Sequence, residues 1–103
     1  MNDAIYNIGI GYQALTDLTE GDYNICIGFD AGDNITSGSG NVVIGKADVS
    51  SATGDDQLSI SDGEDGAVVW MTGDSSGNVI HAGTATAAGG QLTTTGKALV
   101  MGF

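Results

Sequence analysis

The chain holds one cysteine and one histidine, Cys26 and His81. A thiol activated by an imidazole is the smallest nucleophilic machinery it could assemble. Cys26 stands in the middle of Ile25-Cys-Ile27, where the matching segments carry Gly9 and Val43. A packed, inert thiol is therefore expected. The 13 acidic residues are the other reactive groups. Paired carboxylates hydrolyse glycosides, but most acids here stand beside Gly or Ser, where Asp accepts local hydrogen bonds in turns. No Gly-x-x-x-x-Gly-Lys-Ser/Thr phosphate loop occurs. No enzymatic activity is expected.

Binding chemistry is better represented. Asp30 and Asp33, Asp55-Asp56, and Asp62-Gly-Glu-Asp65 are oxygen-rich and could hold Ca²⁺. None matches the twelve-residue helix-flanked calcium loop. Solvated turn acids are the expectation, with Asp62 and Asp65 as the candidate ligands. His81 occurs once per chain, so in a threefold assembly it could supply three ligands to a metal ion on the axis. No other cofactor is expected. Tyr12, Phe29 and Trp70 are the candidate ligand-binding aromatics, because ring faces stack on sugars. Trp70 lies inside a strand-like run, for which burial is expected. Tyr12 and Phe29 share one repeat position and could equally form a packed ladder.

These residues are organised by a repeat. Asn7-Ile-Gly-Ile-Gly11 recurs as Asn24-Ile-Cys-Ile-Gly28 and as Asn41-Val-Val-Ile-Gly45, seventeen residues apart each time. Tyr12 aligns with Phe29, Ala14 with Ala31, Leu18 with Ile35, Thr19 with Thr36 and Thr53, and Gly21 with Gly38. A weaker fourth copy, Gln57-Leu-Ser-Ile-Ser61, arrives one residue early. A fixed period of this kind signals units that bury their faces on one another. In a strand, residues i and i+2 share a face. Ile8 and Ile10, Ile25 and Ile27, and Val42 and Ile44 thus form paired columns, read here as the ladder core of an assembly. Gly9, Cys26 and Val43 face the other way. Gly11, Gly28 and Gly45 end each strand at a corner.

After the repeats, residues 67–71 and 79–82 read as a hairpin, giving a sheet distinct from the repeat stack. Residues 83–90 read as a linker, and 91–95 and 98–101 as two last short strands. The division is 1–57 for the repeats and 58–103 for the distal strands, the two forming one continuous fibrous unit.

Composition bounds the rest. The chain has 103 residues, 18 Gly, no Pro, and a formal charge of −11. Its basic residues are Lys46 and Lys97 alone, too few to neutralise phosphates, so no nucleic acid partner is expected. The longest apolar run, 67–71, is far short of the roughly 20 residues that cross a bilayer. Residues 1–10 have no basic start and no apolar core of signal-peptide length. Gly, Thr, Val and Ile disfavour helix and suit short strands and tight turns. The core of one chain is thin, and association with copies of itself is a standard remedy.

Tyr6-Asn-Ile-Gly-Ile-Gly-Tyr-Gln-Ala-Leu15 and the stretch from Gly28 to Gly45 resemble the repeats of phage tail fibres. They are similar also to the head repeats of trimeric bacterial autotransporter adhesins. Gln57-Leu-Ser-Ile-Ser-Asp-Gly63 and Gly73-Asp-Ser-Ser-Gly-Asn-Val79 resemble the region distal to such repeats in fibres. The resemblance covers about three quarters of the chain. It implies an all-β solenoid or roll, intertwined as a homotrimer, in a tail fibre of the virion made in the host cytoplasm. It implies binding to a host-surface glycan or protein, without membrane insertion. The alternatives are an adhesin head and a polysaccharide depolymerase. Such fibres run to many more repeats, so the resemblance also implies a piece of a longer fibre.

Overall fold

The computed structural model describes residues 4–83, and all structural statements concern these. The chain is all-β, with six strands in one sheet and no helix among the described residues. The strands are β1 (Ile8–Ile10), β2 (Ile25–Ile27), β3 (Val42–Ile44), β4 (Leu58–Ser61), β5 (Val69–Gly73) and β6 (Val79–His81). They lie in sequence order. β1 to β4 are parallel and in strict register, Ile8 to Ile25 to Val42 to Leu58 and Ile10 to Ile27 to Ile44 to Ile60. β5 and β6 continue the same sheet antiparallel. The hairpin expected from the sequence is present, but it adds to the repeat sheet and does not form a separate one. The segments 91–95 and 98–101, most of the linker, and the closing part of the second unit lie outside the described residues.

The register survives a shortened turn. Strand spacing is seventeen residues, then seventeen, then sixteen. The Thr19 N–H donates to the Thr36 carbonyl, and the Thr36 N–H to the Ala52 carbonyl. Ala52, and not Thr53, therefore continues the Thr19–Thr36 column. The Gly28–Gly45 spacing is still seventeen, so the residue is dropped between Gly45 and Ala52.

A polar column sets this register. The Asn24 backbone N–H and Nδ2 both donate to Asn7 Oδ1, at 2.8 and 3.1 Å. Asn41 does the same to Asn24 Oδ1 at 2.9 and 3.1 Å. Gln57 does the same to Asn41 Oδ1 at 2.8 and 3.1 Å. Each Nδ2 also reaches a return-segment carbonyl: Asn7 to Gly21, Asn24 to Gly38, Asn41 to Gly54. Asn24 and Asn41 are fully buried. A buried amide is tolerable only when it is hydrogen-bonded.

Two glycine columns let the turns approach. A methyl group on Gly28 would meet the Gly45 carbonyl, and one on Gly38 would meet the Gly54 carbonyl inside van der Waals contact. Gly28 also has φ 136°, where a side chain is strained.

The core of the single chain lies on the face opposite the isoleucine pairs. Cys26, Val43 and Ser59 point inward and are buried. The return segments cover them with Leu15, Leu18, Ala31, Ile35 and Val49. Ile8, Ile10, Ile25, Ile27 and Ile44 are exposed and Val42 is half-buried. The arrangement has a simple cause: the return segments fold over one face of the sheet, where small residues leave room for them.

Asn24→Ala removes the acceptor for two Asn41 donors and leaves the Gly38 carbonyl buried without its side-chain donor. Buried polar groups left unpaired cost about 1–3 kcal/mol each. A loss of about 2–4 kcal/mol is expected by urea unfolding, against little change for the exposed Thr16→Ala.

Candidate functional site

Residues directly opposite one another across a sheet share a face. The register therefore assigns the outer face of all six strands. One column runs Ile8, Ile25, Val42, Leu58, Gly73, Val79; the other runs Ile10, Ile27, Ile44, Ile60, Met71, His81. Every member but Gly73 and His81 has an apolar side chain, and none carries a formal charge with His neutral. The face is two residues wide, about 7 Å, and six strands long, about 24 Å. Ile10 is 58% exposed at the β1 end, while Leu58, Ile60 and Met71 are half-buried. An uncharged apolar stripe on a chain of net charge −11 is the feature most unlike ordinary surface.

The other candidate residues have identifiable surroundings. The Tyr12 and Phe29 rings are stacked, 5.7 Å apart and 10° from parallel. Lys46 takes the third place in that column, with Nζ 5.4 Å from the Phe29 centroid and 3.1 Å from Asp30 Oδ2. Tyr6 and Tyr23 form a second stack at 5.0 Å. These aromatics form packed ladders, so Phe29 offers no open ring face. Trp70, for which the sequence predicts burial, is 52% exposed. It is the extra residue of a bulge, because Ile60 pairs with Met71 while Ser61 pairs with Val69.

Asp62 and Asp65 lie in the turn before β5. Asp62 Oδ1 accepts from the Glu64, Asp65 and Gly66 N–H groups, and Oδ2 accepts from Val68 at 2.8 Å. These bonds, Val68 foremost, pull its carboxyl down to about 2. Asp65 Oδ1 accepts from the Ala67 N–H. This turn chemistry holds residues 67 and 68, so β5 begins later than the sequence pattern predicts. His81 closes the outer column on β6, its Nδ1 3.3 Å from the Gly83 carbonyl. Among the described residues no three His, Cys, Asp or Glu side chains gather as a metal cluster.

Cys26 is fully buried, and burial pushes its thiol up to about 11. It sits on β2, four strands from His81 on β6, so the two are not brought together. Among the described residues Asp48 is the one carboxyl held high, at about 6, by partial desolvation, by a hydrogen bond to Asp33 and by the charge of Asp33. The asparagine column is the element of the fold that residue patterns alone do not reveal as functional. Its signal is nonetheless present: Asn precedes each of the first three strands, while the return segments vary.

No family model matches the chain, and no curated protein or solved structure matches it.

Asp48 acts in the opposite direction to Asp62 and to Asp74, whose carboxyl the Asn78 side chain and backbone N–H hold below its ordinary value. Asp48, raised from 3.8 to about 6, binds its proton more tightly when folded, so its effect on stability is favourable below 3.8 and lost as pH rises through 6. Asp62, lowered from 3.8 to about 2, stabilises above 3.8 and ceases to as pH falls toward 2. Melting temperature is expected to rise from pH 7 to 5 and to fall from pH 4 to 2. Asp48→Asn flattens the first limb, and Asp62→Asn lessens the second, to which Asp74 also contributes.

Proposed function

We propose that this chain is a segment of a homotrimeric β-solenoid fibre, of the phage tail-fibre type, that supports and presents a host-binding surface. The observation that carries the reading is the uncharged outer stripe of Ile8, Ile10, Ile25, Ile27, Val42 and Ile44, continued by Leu58, Ile60 and Met71. The return segments cover the opposite face, and among the described residues nothing covers this one. Three features favour copies of the same chain. The stripe is too narrow to make a broad two-sheet sandwich, and three such stripes can converge on an axis. It holds no charge, as a contact between chains of −11 requires. The Asn-Ile-x-Ile-Gly repeats also resemble those of trimeric fibres. The thin core, with seven buried apolar residues among those described, leaves stability to gain from burial of the stripe.

The same reading gives the fibre a binding and supporting role, with no reaction assigned. Trp70 is the described aromatic with no ring stacked on it, and Val68 and Ile80 of the same hairpin region are also exposed. A glycan or protein of the host surface is the proposed ligand for this region. Three copies would convert a weak contact into a strong one through effective concentration.

Sedimentation equilibrium is expected to give three times the 10.3 kDa chain mass. Ile27→Asp is expected to abolish the trimer while leaving a folded monomer, because Ile27 faces outward and the buried core is on the other face. A stable wild-type monomer, or an assembled Ile27→Asp variant, contradicts the reading. Trp70 is the single tryptophan, so its fluorescence reports directly on ligand at the hairpin. Titration with host-surface polysaccharide is expected to shift its emission to shorter wavelength, and Trp70→Phe to weaken binding measured by calorimetry.

A further inference from the structure

The two ends of the parallel stack are finished differently. β4 is covered by β5, and β5 by β6. β1 carries no strand on its outer side among the described residues. At the β1–β2 and β2–β3 boundaries the later turn offers its predecessor the same groups. The Asn24 carbonyl accepts from the Ile8 N–H at 2.8 Å, and the Gly28 N–H donates to the Ile10 carbonyl at 2.8 Å. The Asn41 carbonyl accepts from Ile25, and the Gly45 N–H donates to Ile27, in the same geometry. The later asparagine also gives its backbone N–H and Nδ2 to the earlier side-chain oxygen.

β1 presents these groups in the same places. The Asn7 carbonyl, the Asn7 N–H and the Gly11 N–H have no partner among the described residues. Asn7 Nδ2 is already held in the stacked orientation by the Gly21 carbonyl, at 2.9 Å. Tyr6 and Tyr12 each rest one ring face on the turn below and are 67% and 68% exposed. Residues 4–6 already lie where the closing part of a preceding turn belongs. The Ile5 N–H donates to Asp22 Oδ1 as the Ser39 N–H does to Asp55 Oδ1, and the Tyr23 N–H donates to the Ile5 carbonyl.

We infer that the β1 edge is a docking site for one more turn of this repeat, laid parallel and in register and joined to the chain through residues 4–6. Any extended peptide can pair with the backbone of an open edge. Only a strand of the pattern aromatic-Asn-x-x-x-Gly-aromatic also supplies the side-chain oxygen for Asn7 and a ring for each tyrosine. The edge thus selects its own repeat over other strands. This inference rests on the stacking geometry and does not depend on the number of chains in the assembly.

The test adds the sequence of residues 6–17 ahead of Met1, which by spacing stands seventeen residues before Leu18. Amide hydrogen exchange by NMR then reads the Gly11 N–H, with Gly28 and Gly45 as internal standards. In the parent, Gly11 is expected to exchange at least about 100-fold faster than Gly28, as an open edge group does beside a paired one. In the extended protein it is expected to slow to the Gly28 range, with a raised melting temperature. The same extension with its asparagine changed to alanine and its corner glycine, the copy of Gly11, changed to valine is expected to leave Gly11 as in the parent, because the amide is lost and the new side chain meets the next turn's carbonyl, as a methyl group on Gly11 would meet that of Gly28. Two results overturn the inference: Gly11 unchanged in an extended protein that is otherwise folded, or Gly11 already as protected as Gly28 in the parent. The oligomer mass, measured in parallel, tests the trimeric reading separately.

Discussion

A buried asparagine with nowhere else to bond holds this fold in place. Asn24 accepts two hydrogen bonds from Asn41, and its side-chain amide gives one to Asn7 and one to the Gly38 carbonyl. Slipping one turn by a single residue would remove these partners and place the amide against apolar side chains. Each donor or acceptor left dry costs about 1–3 kcal/mol, comparable with burying one isoleucine. The column also has a direction, since every later turn donates to the one before. Hydrophobic burial alone would leave the register loosely specified, because the strands are three residues long and their apolar residues are interchangeable. The amides supply the specificity, and the glycine columns allow the close approach that it needs.

The repeat also accounts for how the sheet absorbs irregularity. Gln57 replaces asparagine in the fourth strand, which arrives a residue early. Its longer side chain still reaches Asn41 Oδ1, and Nε2 also donates to the Gly54 and Ser51 carbonyls. The stack then ends on a chemical change. Asp62 gathers the N–H groups of the next turn, the chain reverses, and β5 returns antiparallel with Trp70 displaced at the bulge.

Much of this is legible in the residues. The seventeen-residue period, the strand phase, the corner glycines and the fourth copy all come from local pattern, because a strand shows its faces at every second residue. The stacking of Tyr12 on Phe29 is one of two readings that the repeat leaves open, and it is what the structure shows. The side of the sheet covered by the return segments is not legible, since that depends on where Leu15, Leu18 and Ile35 land after several turns. The continuity of the hairpin with the repeat sheet is not legible either, because pairing between β4 and β5 is a tertiary choice. The role of asparagine is hidden by its usual meaning, for a polar residue before a strand is normally read as a turn former. The outer stripe comes from the strand phase, and the structure adds that no described part of the chain covers it.

The side-chain amide protons of Asn24 and Asn41 report on the polar column directly. Their hydrogen exchange, measured by NMR in the intact protein, tests the claim that this column fixes the stack. Both are expected to exchange on the slow scale of the buried backbone amides, far more slowly than the exposed Asn78 side chain, since their release requires the turns to separate. Exchange of Asn24 and Asn41 as fast as that of Asn78, in a protein whose strand amides remain protected, would contradict it.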